Sequence, residues 1–330
     1  MYDFSSSPLL ARHSSGERRL RLFAVLLIHW GIAFFVPLLV GMIPGSAATV
    51  ILGINGFQKI FSDAMASGLS GGAGTIDGDA VQALVEDVSA GEGYRIAELF
   101  GDAWLIAVAL FVCLVIQRRS LATVGLEKRG AAKLYGVGAL IGAGMFGATL
   151  LIAWLTRAVT FGGRGNGRIL FLFFFLFGYV IQGAAEELLI HGLFLTSLTR
   201  QMRWLPSVLI SALLFSMMHA ANAGVTLLSL LNVFLFGVFL GLFVLRTGNV
   251  LGAAALHAAW NFTEGQIFGC SVSGFSSSGL FSVTLDTTRN VTNGGAFGPE
   301  GGLAATMVLM LALIAVAFLP PFKKKSEPTP

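Results

Sequence analysis

The chain has 330 residues, of which 55% are hydrophobic and only 12% are charged, and its formal net charge is +4. Soluble globular proteins carry roughly 25% charged residues, so this composition excludes an ordinary soluble enzyme and predicts helices that lie in a lipid bilayer. The two cysteines are too few for a disulfide framework or a cysteine-based metal site.

We predict an all-α fold, a polytopic membrane bundle of about eight transmembrane helices. A polar segment, 1–21, precedes an apolar run that is too long for a signal-peptide core and therefore predicts an uncleaved first span, 22–43. Residues 62–97 are rich in Gly, Ser, Asp and Glu and predict a solvated loop. The further predicted spans are 98–117, 134–156, 168–198, 205–221, 225–246, 249–268 and 303–319, and a polar loop, 269–302, separates the last two.

The distribution of basic residues predicts the orientation of the bundle. With eight spans, 15 of the 21 Lys and Arg residues fall on the side of the two termini. Cytoplasmic loops carry the excess of basic residues, so we expect both termini in the cytoplasm. The cluster of Arg157, Arg164 and Arg168 departs from this bias, in the short loop between the third and fourth spans.

Two pairs of glycines are spaced four residues apart within predicted spans. They are Gly138 with Gly142, and Gly237 with Gly241. This spacing is typical of helices that pack closely in membranes through small residues. In a chain with 42 glycines it also arises by chance.

Polar residues inside three predicted spans point to a functional site. They are Glu186, Glu187 and His191 in the fourth span, His219 in the fifth, and His257 and Asn261 in the seventh. An ionisable residue at mid-membrane costs roughly 2.5–3.5 kcal/mol, so such residues usually serve an ion path, a proton relay or catalysis. Counted along the helices, all three groups lie roughly 12–21 Å from the predicted cytoplasmic surface.

Each of these residues also has a structural interpretation. Glu187 can pair with His191, which lies four residues later on the same helix face, and buried glutamates can simply bond neighbouring helices. A single histidine in a span is more often packed and hydrogen-bonded than catalytic. Phe215, four residues before His219, is expected to pack beside it.

Three segments resemble the motifs of the CPBP family, the type II CAAX-prenyl-endopeptidase-like membrane proteases, a group that includes bacteriocin-immunity relatives. They are AAEELLIHGLF around Glu186, FSMMH ending at His219, and HAAWN from His257 to Asn261. The later stretches SGFSSSGLF and GGAFGPEGG resemble bacterial members, which implies a bacterial plasma membrane.

We expect three regions in the chain. These are an N-terminal tail with the first helix and an extracytoplasmic loop (1–97), a protease-like membrane core (98–322) and a basic cytoplasmic tail (323–330).

The resemblance implies an intramembrane endopeptidase that uses activated water on a membrane-associated or prenylated CAAX-like peptide. The expected catalytic residues are Glu186 and His219, which activate the water, and His257 and Asn261, which donate hydrogen bonds to the oxyanion. The expected supporting residues are Glu187, His191 and Phe215. We expect a peptide or membrane-protein substrate and the lipid bilayer as partners, and no nucleic acid.

No cofactor is expected, but a metal-dependent alternative stays open. Glu186, His219 and His257 form a His₂Glu set, which is a known catalytic zinc arrangement. No HExxH helix accompanies it, so the metal-free mechanism is favoured.

One position departs from the family pattern, which usually has Arg where this chain has His191. Arg is permanently charged and binds carboxylates bidentately, whereas His titrates near neutrality. This departure favours, as an alternative function, a non-catalytic bacteriocin-immunity or peptide-binding membrane protein. An ion or proton transporter that uses the Glu/His cluster as a relay is a further alternative.

Overall fold

The computed structural model describes residues 1–12, 20–32, 49–69, 75–89 and 91–318. These residues form a bundle of apolar helices with one two-stranded ribbon, which confirms the predicted all-α membrane fold. In chain order the α-helices are α1 (Leu22–Ile32), α2 (Ile54–Leu69), α3 (Gly78–Ser89), α4 (Glu92–Gly101), α5 (Ala103–Phe111), α6 (Ala131–Leu155), α7 (Ile169–Glu187), α8 (Leu195–Leu198), α9 (Trp204–Met218), α10 (Leu227–Thr247), α11 (Val250–Phe262), α12 (Asn290–Asn293) and α13 (Leu303–Phe318).

Within the described part of the chain, four helices are long and apolar enough to cross a membrane. They are Glu92–Ile116, Ala131–Leu155, Ile169–Leu198 and Leu227–Thr247. Helices α1, α9 and α13 are apolar but shorter. Part of the predicted first span, 33–43, lies outside the described residues, so the count of eight spans stays a prediction.

The predicted solvated loop, 62–97, is wrong, because most of its described residues are helical. Helices α2 and α3 and the start of α4 occupy it. In α3 the apolar residues Val81, Leu84 and Val88 recur at helical spacing, and Leu84 lies directly against Gly56 of α2. The high content of Gly, Ser and Asp concealed this pattern.

Side-chain caps begin both α10 and α11, which follow each other closely in the chain. At the start of α10, Thr226 and Ser229 form a reciprocal capping box, with Thr226 Oγ1 accepting from Ser229 N at 3.0 Å. Gly248, with φ of 68°, ends the helix. The Asn249 side chain then accepts from Leu251 N at 2.9 Å and starts α11. Only two residues therefore separate these helices.

Helix α11 lies between α6 and α7, and its close contact with α6 depends on glycine. A Cβ atom at Gly138 would overlap the carbonyl oxygen of Gly252, and one at Gly142 would overlap that of Leu256. The four-residue spacing of these glycines is therefore a packing feature. Helix α10 packs against α9 and α13 on the other side of the bundle.

An antiparallel ribbon joins the two loops that the predicted topology places on one side of the membrane. Strand β1 (Val159–Arg164) pairs with β2 (Phe281–Leu285), with Val159 opposite Leu285. The Glu300 carboxylate holds the rest of the second loop in place. It accepts from Ser273 N and Oγ at 2.7 and 2.6 Å and from Trp260 Nε1 of α11 at 3.2 Å.

The N-terminal segment packs on the opposite end of the bundle. Tyr2 N donates to Ala317 O at 2.8 Å, and the Ser7 hydroxyl donates to Leu245 O. The Phe4 ring lies 5.0 Å from the Trp204 ring. Residues 1–12 therefore cover the ends of α9, α10 and α13, although most of the predicted segment 1–21 is polar.

Candidate active site

Three helices, α7, α9 and α11, supply the polar side chains that the sequence singled out. Directly after Glu187 the backbone widens into a π-helical turn, Leu188–Phe194, in which every residue is buried. A second π-helical turn, Thr263–Ile267, follows α11. Such turns inside helices are frequent at functional sites, and the first one places His191 on the same side as Glu187.

Glu187 connects two of the three helical motifs. His191 Nδ1 lies 2.6 Å from Glu187 Oε2, and His257 Nδ1 of α11 lies 3.1 Å from Glu187 Oε1. An ionised carboxylate only accepts hydrogen bonds, so each imidazole donates from Nδ1. Glu187 and His191 are completely buried, and His257 is 4% exposed. The predicted pairing of Glu187 with His191 is present, and the bond to His257 was not predicted.

The ring of Phe215 lies among the three histidines of the candidate site. Its centroid is 5.1 Å from His219, 5.7 Å from His257 and 5.9 Å from His191. Phe236 of α10 closes the other side of His257 at 5.6 Å. These aromatic rings restrict the positions of the imidazoles, so that His257 keeps Nδ1 towards Glu187 and leaves Nε2 for another partner.

Glu186 and His219 lie beside this cluster without bonding to each other. His219 Nδ1 donates to Phe215 O at 2.9 Å, and the side chain is half-buried at the end of α9. Glu186 is 8% exposed, and its buried Oε2 accepts no hydrogen bond from the described residues. A carboxylate oxygen without a protein donor is available to a bound water or substrate.

Asn261 has a partner that sequence reasoning missed. Asn261 Nδ2 donates to Gln182 Oε1 at 3.1 Å. Gln182 lies one helical turn before Glu186 on α7, so both face α11. Gln182 is a polar residue in an apolar span, four residues before Glu186. This position could have identified Gln182 as part of the site.

A further acidic residue approaches the site from the break between α4 and α5. Asp102 occupies this break and lies within electrostatic range of Glu186 and His257, as well as of Arg95 and Glu98 on α4. Arg95 in turn bonds Glu98 at 3.1 Å. Sequence reasoning assigned no role to these three residues, because they lie at the border of the predicted loop 62–97.

The zinc alternative names Glu186, His219 and His257 as ligands, and the choice between this alternative and the metal-free mechanism stays a prediction. Among the described residues, no group of three or more His, Cys, Asp or Glu side chains is placed to hold a metal ion. His219 and His257 each use Nδ1 within the protein. In His219 and His257, Nε2 is therefore the ring nitrogen that can contact a ligand.

A comparison with known protein families matches the segment of the chain that contains the candidate site. Residues 168–263 match the family model described as type II CAAX prenyl endopeptidase Rce1-like, which confirms the resemblance to these membrane proteases. No curated protein and no solved structure matches the chain significantly. The matched residues include the seven residues predicted to form the site. The match supports, in general terms, an integral membrane protease of the CAAX type that acts on a peptide or protein.

Proposed function

We propose that this protein is an intramembrane endopeptidase that hydrolyses a peptide bond in a membrane-associated or prenylated CAAX-like peptide. The observation that carries the proposal is the contact of Glu187 with both His191 and His257. This contact brings the first and third family motifs together in a buried cluster, and Phe215 of the second motif lies against it.

In the proposed mechanism, Glu186 is the general base. Its free Oε2 accepts a proton from a water molecule that His219 Nε2 helps to hold. The resulting hydroxide adds to the scissile carbonyl carbon, and the carbonyl oxygen becomes an oxyanion. Glu186 then returns the proton to the leaving amine as the carbon–nitrogen bond breaks, so that protons balance over the cycle.

The oxyanion is stabilised from α11. Asn261 uses one of its two amide hydrogens on Gln182, so the second is available to the oxyanion. His257 donates from Nε2 while Glu187 holds Nδ1, and in this proposal it acts as an imidazolium. Donors that are already oriented before reaction stabilise developing charge without reorganisation. Glu187, His191 and Gln182 are positioning residues.

The test compares Glu186→Gln with the parent protein and with Glu86→Gln, which changes an exposed glutamate on α3. All three are purified in detergent and assayed with quenched peptides, including prenylated CAAX mimics. We expect Glu186→Gln to fold and to lose cleavage by at least about 100-fold, whereas Glu86→Gln keeps it. Equal cleavage by Glu186→Gln and the parent would contradict the assignment of Glu186.

The same preparations separate the alternatives. We propose catalysis without a bound metal, and stoichiometric zinc in the active protein would replace this mechanism with one in which Glu186, His219 and His257 bind the metal. Peptide binding without cleavage of any library member would favour the immunity or peptide-binding function. Ion flux into liposomes would favour a transporter.

A further inference from the structure

An apolar cavity of about 710 Å³ lies outside the candidate active site, between α6, α10 and α13. Its floor is formed by the buried rings of Phe239 and Phe243, which are 4% and 3% exposed. Its rim includes Leu140 and Leu311, which are 77% and 64% exposed. The cavity is therefore a groove that opens on the lipid-facing surface of the bundle.

The length of the groove matches one leaflet of a bilayer. Its wall on α6 extends from Leu140 to Ile152, which is about 18 Å at 1.5 Å per residue. The hydrocarbon core of a bilayer is about 30 Å thick, so one leaflet contributes about 15 Å. A transmembrane helix of another protein would extend through both leaflets, whereas one acyl chain of a phospholipid fills only this length.

One end of the groove is lined by Arg246, which is 7% exposed. Every lining side chain is apolar except Arg246, which lies in the last turn of α10. Arg246 donates to Val316 O near the end of α13, and its guanidinium carbon lies 4.9 Å from the centre of the Tyr2 ring. Basic residues at a membrane surface attract anionic headgroups.

We propose that this groove is a binding site for one anionic phospholipid. An acyl chain lies along Phe239 and Phe243, and the phosphate lies at the end marked by Arg246. The site holds a lipid of the leaflet on the side of residues 1–12, and it is separate from the residues proposed for catalysis.

The test uses the full-length protein in nanodiscs of phosphatidylcholine. In parallel samples, a minor fraction is a phosphatidylglycerol or a phosphatidylcholine with the same photoactivatable acyl chain. Crosslinked peptides are identified by mass spectrometry. Each basic residue near the surface contributes about 1 kcal/mol to the attraction of anionic lipid, so we expect the anionic probe to label the groove peptides about fivefold more.

Two glycines of α6 provide a matched pair of variants. A Cβ atom at either Gly144 or Gly147 meets no atom within 4 Å, but only Gly144 lines the groove. We expect Gly144→Phe to remove the preferential labelling and Gly147→Phe to retain it. Arg246→Gln is expected to equalise the two probes, with Arg246→Lys retaining the preference.

Two results would overturn the proposal. Equal labelling of the groove by the two probes in the parent would identify unselective annular lipid, and unchanged labelling of Gly144→Phe would place the lipid elsewhere. Neither result depends on whether Arg246→Gln folds.

Discussion

Glu187 accepts hydrogen bonds from imidazoles on two different elements, and this double contact determines the effect of a substitution there. In Glu187→Gln the side chain keeps its volume but has one acceptor oxygen instead of two. The amide nitrogen then faces the Nδ1–H of either His191 or His257. A buried donor without an acceptor costs about 1–3 kcal/mol.

We therefore expect Glu187→Gln to lower the thermal unfolding midpoint and to reduce kcat by roughly 10–100-fold, with little change in KM. Detergent-solubilised protein is compared with the parent by thermal unfolding and by peptide cleavage. A purely structural role would lower stability while leaving kcat of the folded fraction unchanged, and this outcome would contradict the assignment of Glu187 as a positioning residue.

At the residue scale, ionisable side chains in apolar segments were the feature of the sequence that identified the site. Glutamate and histidine in apolar helices are costly, so Glu186, His219 and His257 were identifiable. A neutral amide such as Gln182 costs less and drew no attention. Asp102 lies only four residues inside the predicted span 98–117, near its end, where a charged residue costs less and drew no attention. Which imidazole bonds which glutamate depends on how three helices pack, and no local pattern contains this information.

At the scale of elements, the contact between α6 and α11 is where backbone packing affects the site. A methyl group at Gly142 would overlap Leu256 O, one residue before His257. A methyl group at Gly147 on the same helix meets no atom within 4 Å. Substituting alanine at each glycine therefore distinguishes the effect of close helix packing on stability from the effect of helix propensity.

We expect Gly142→Ala to destabilise the protein by at least about 1–3 kcal/mol and to lower cleavage, because α11 must move away from α6. Gly147→Ala is expected to be neutral or slightly stabilising, since alanine favours helices over glycine. Thermal unfolding and cleavage are measured for both variants. Equal stability of the two would show that α6 and α11 do not pack as closely as described.

The long apolar helices were predictable because each contains enough hydrophobic residues to span a bilayer. Helices α2 and α3 were not, because their apolar faces are narrow and many of their other residues are polar. The ribbon of β1 and β2 was also missed. Its strands are short and more than 100 residues apart, and β1 contains two glycines, so neither strand has a local signal for its partner.

At the scale of the whole molecule, the orientation of the bundle stays a prediction that cysteine labelling can test. The native Cys113 and Cys270 are buried, so background labelling is low. Ser6 and Thr287 are exposed and lie near opposite ends of the bundle. In spheroplasts, we expect an impermeant maleimide to label Thr287→Cys at once and Ser6→Cys only after permeabilisation. The reverse pattern would place the termini outside.

The two contacts of Glu187 differ in when they can form during biosynthesis. His191 follows Glu187 by four residues, whereas His257 follows it by 70. At a synthesis rate of about 5–20 residues per second, the second imidazole emerges from the ribosome roughly 4–14 s after the carboxylate. During that interval His191 can already donate a hydrogen bond to Glu187, so one oxygen of the carboxylate can be satisfied before His257 has been synthesised.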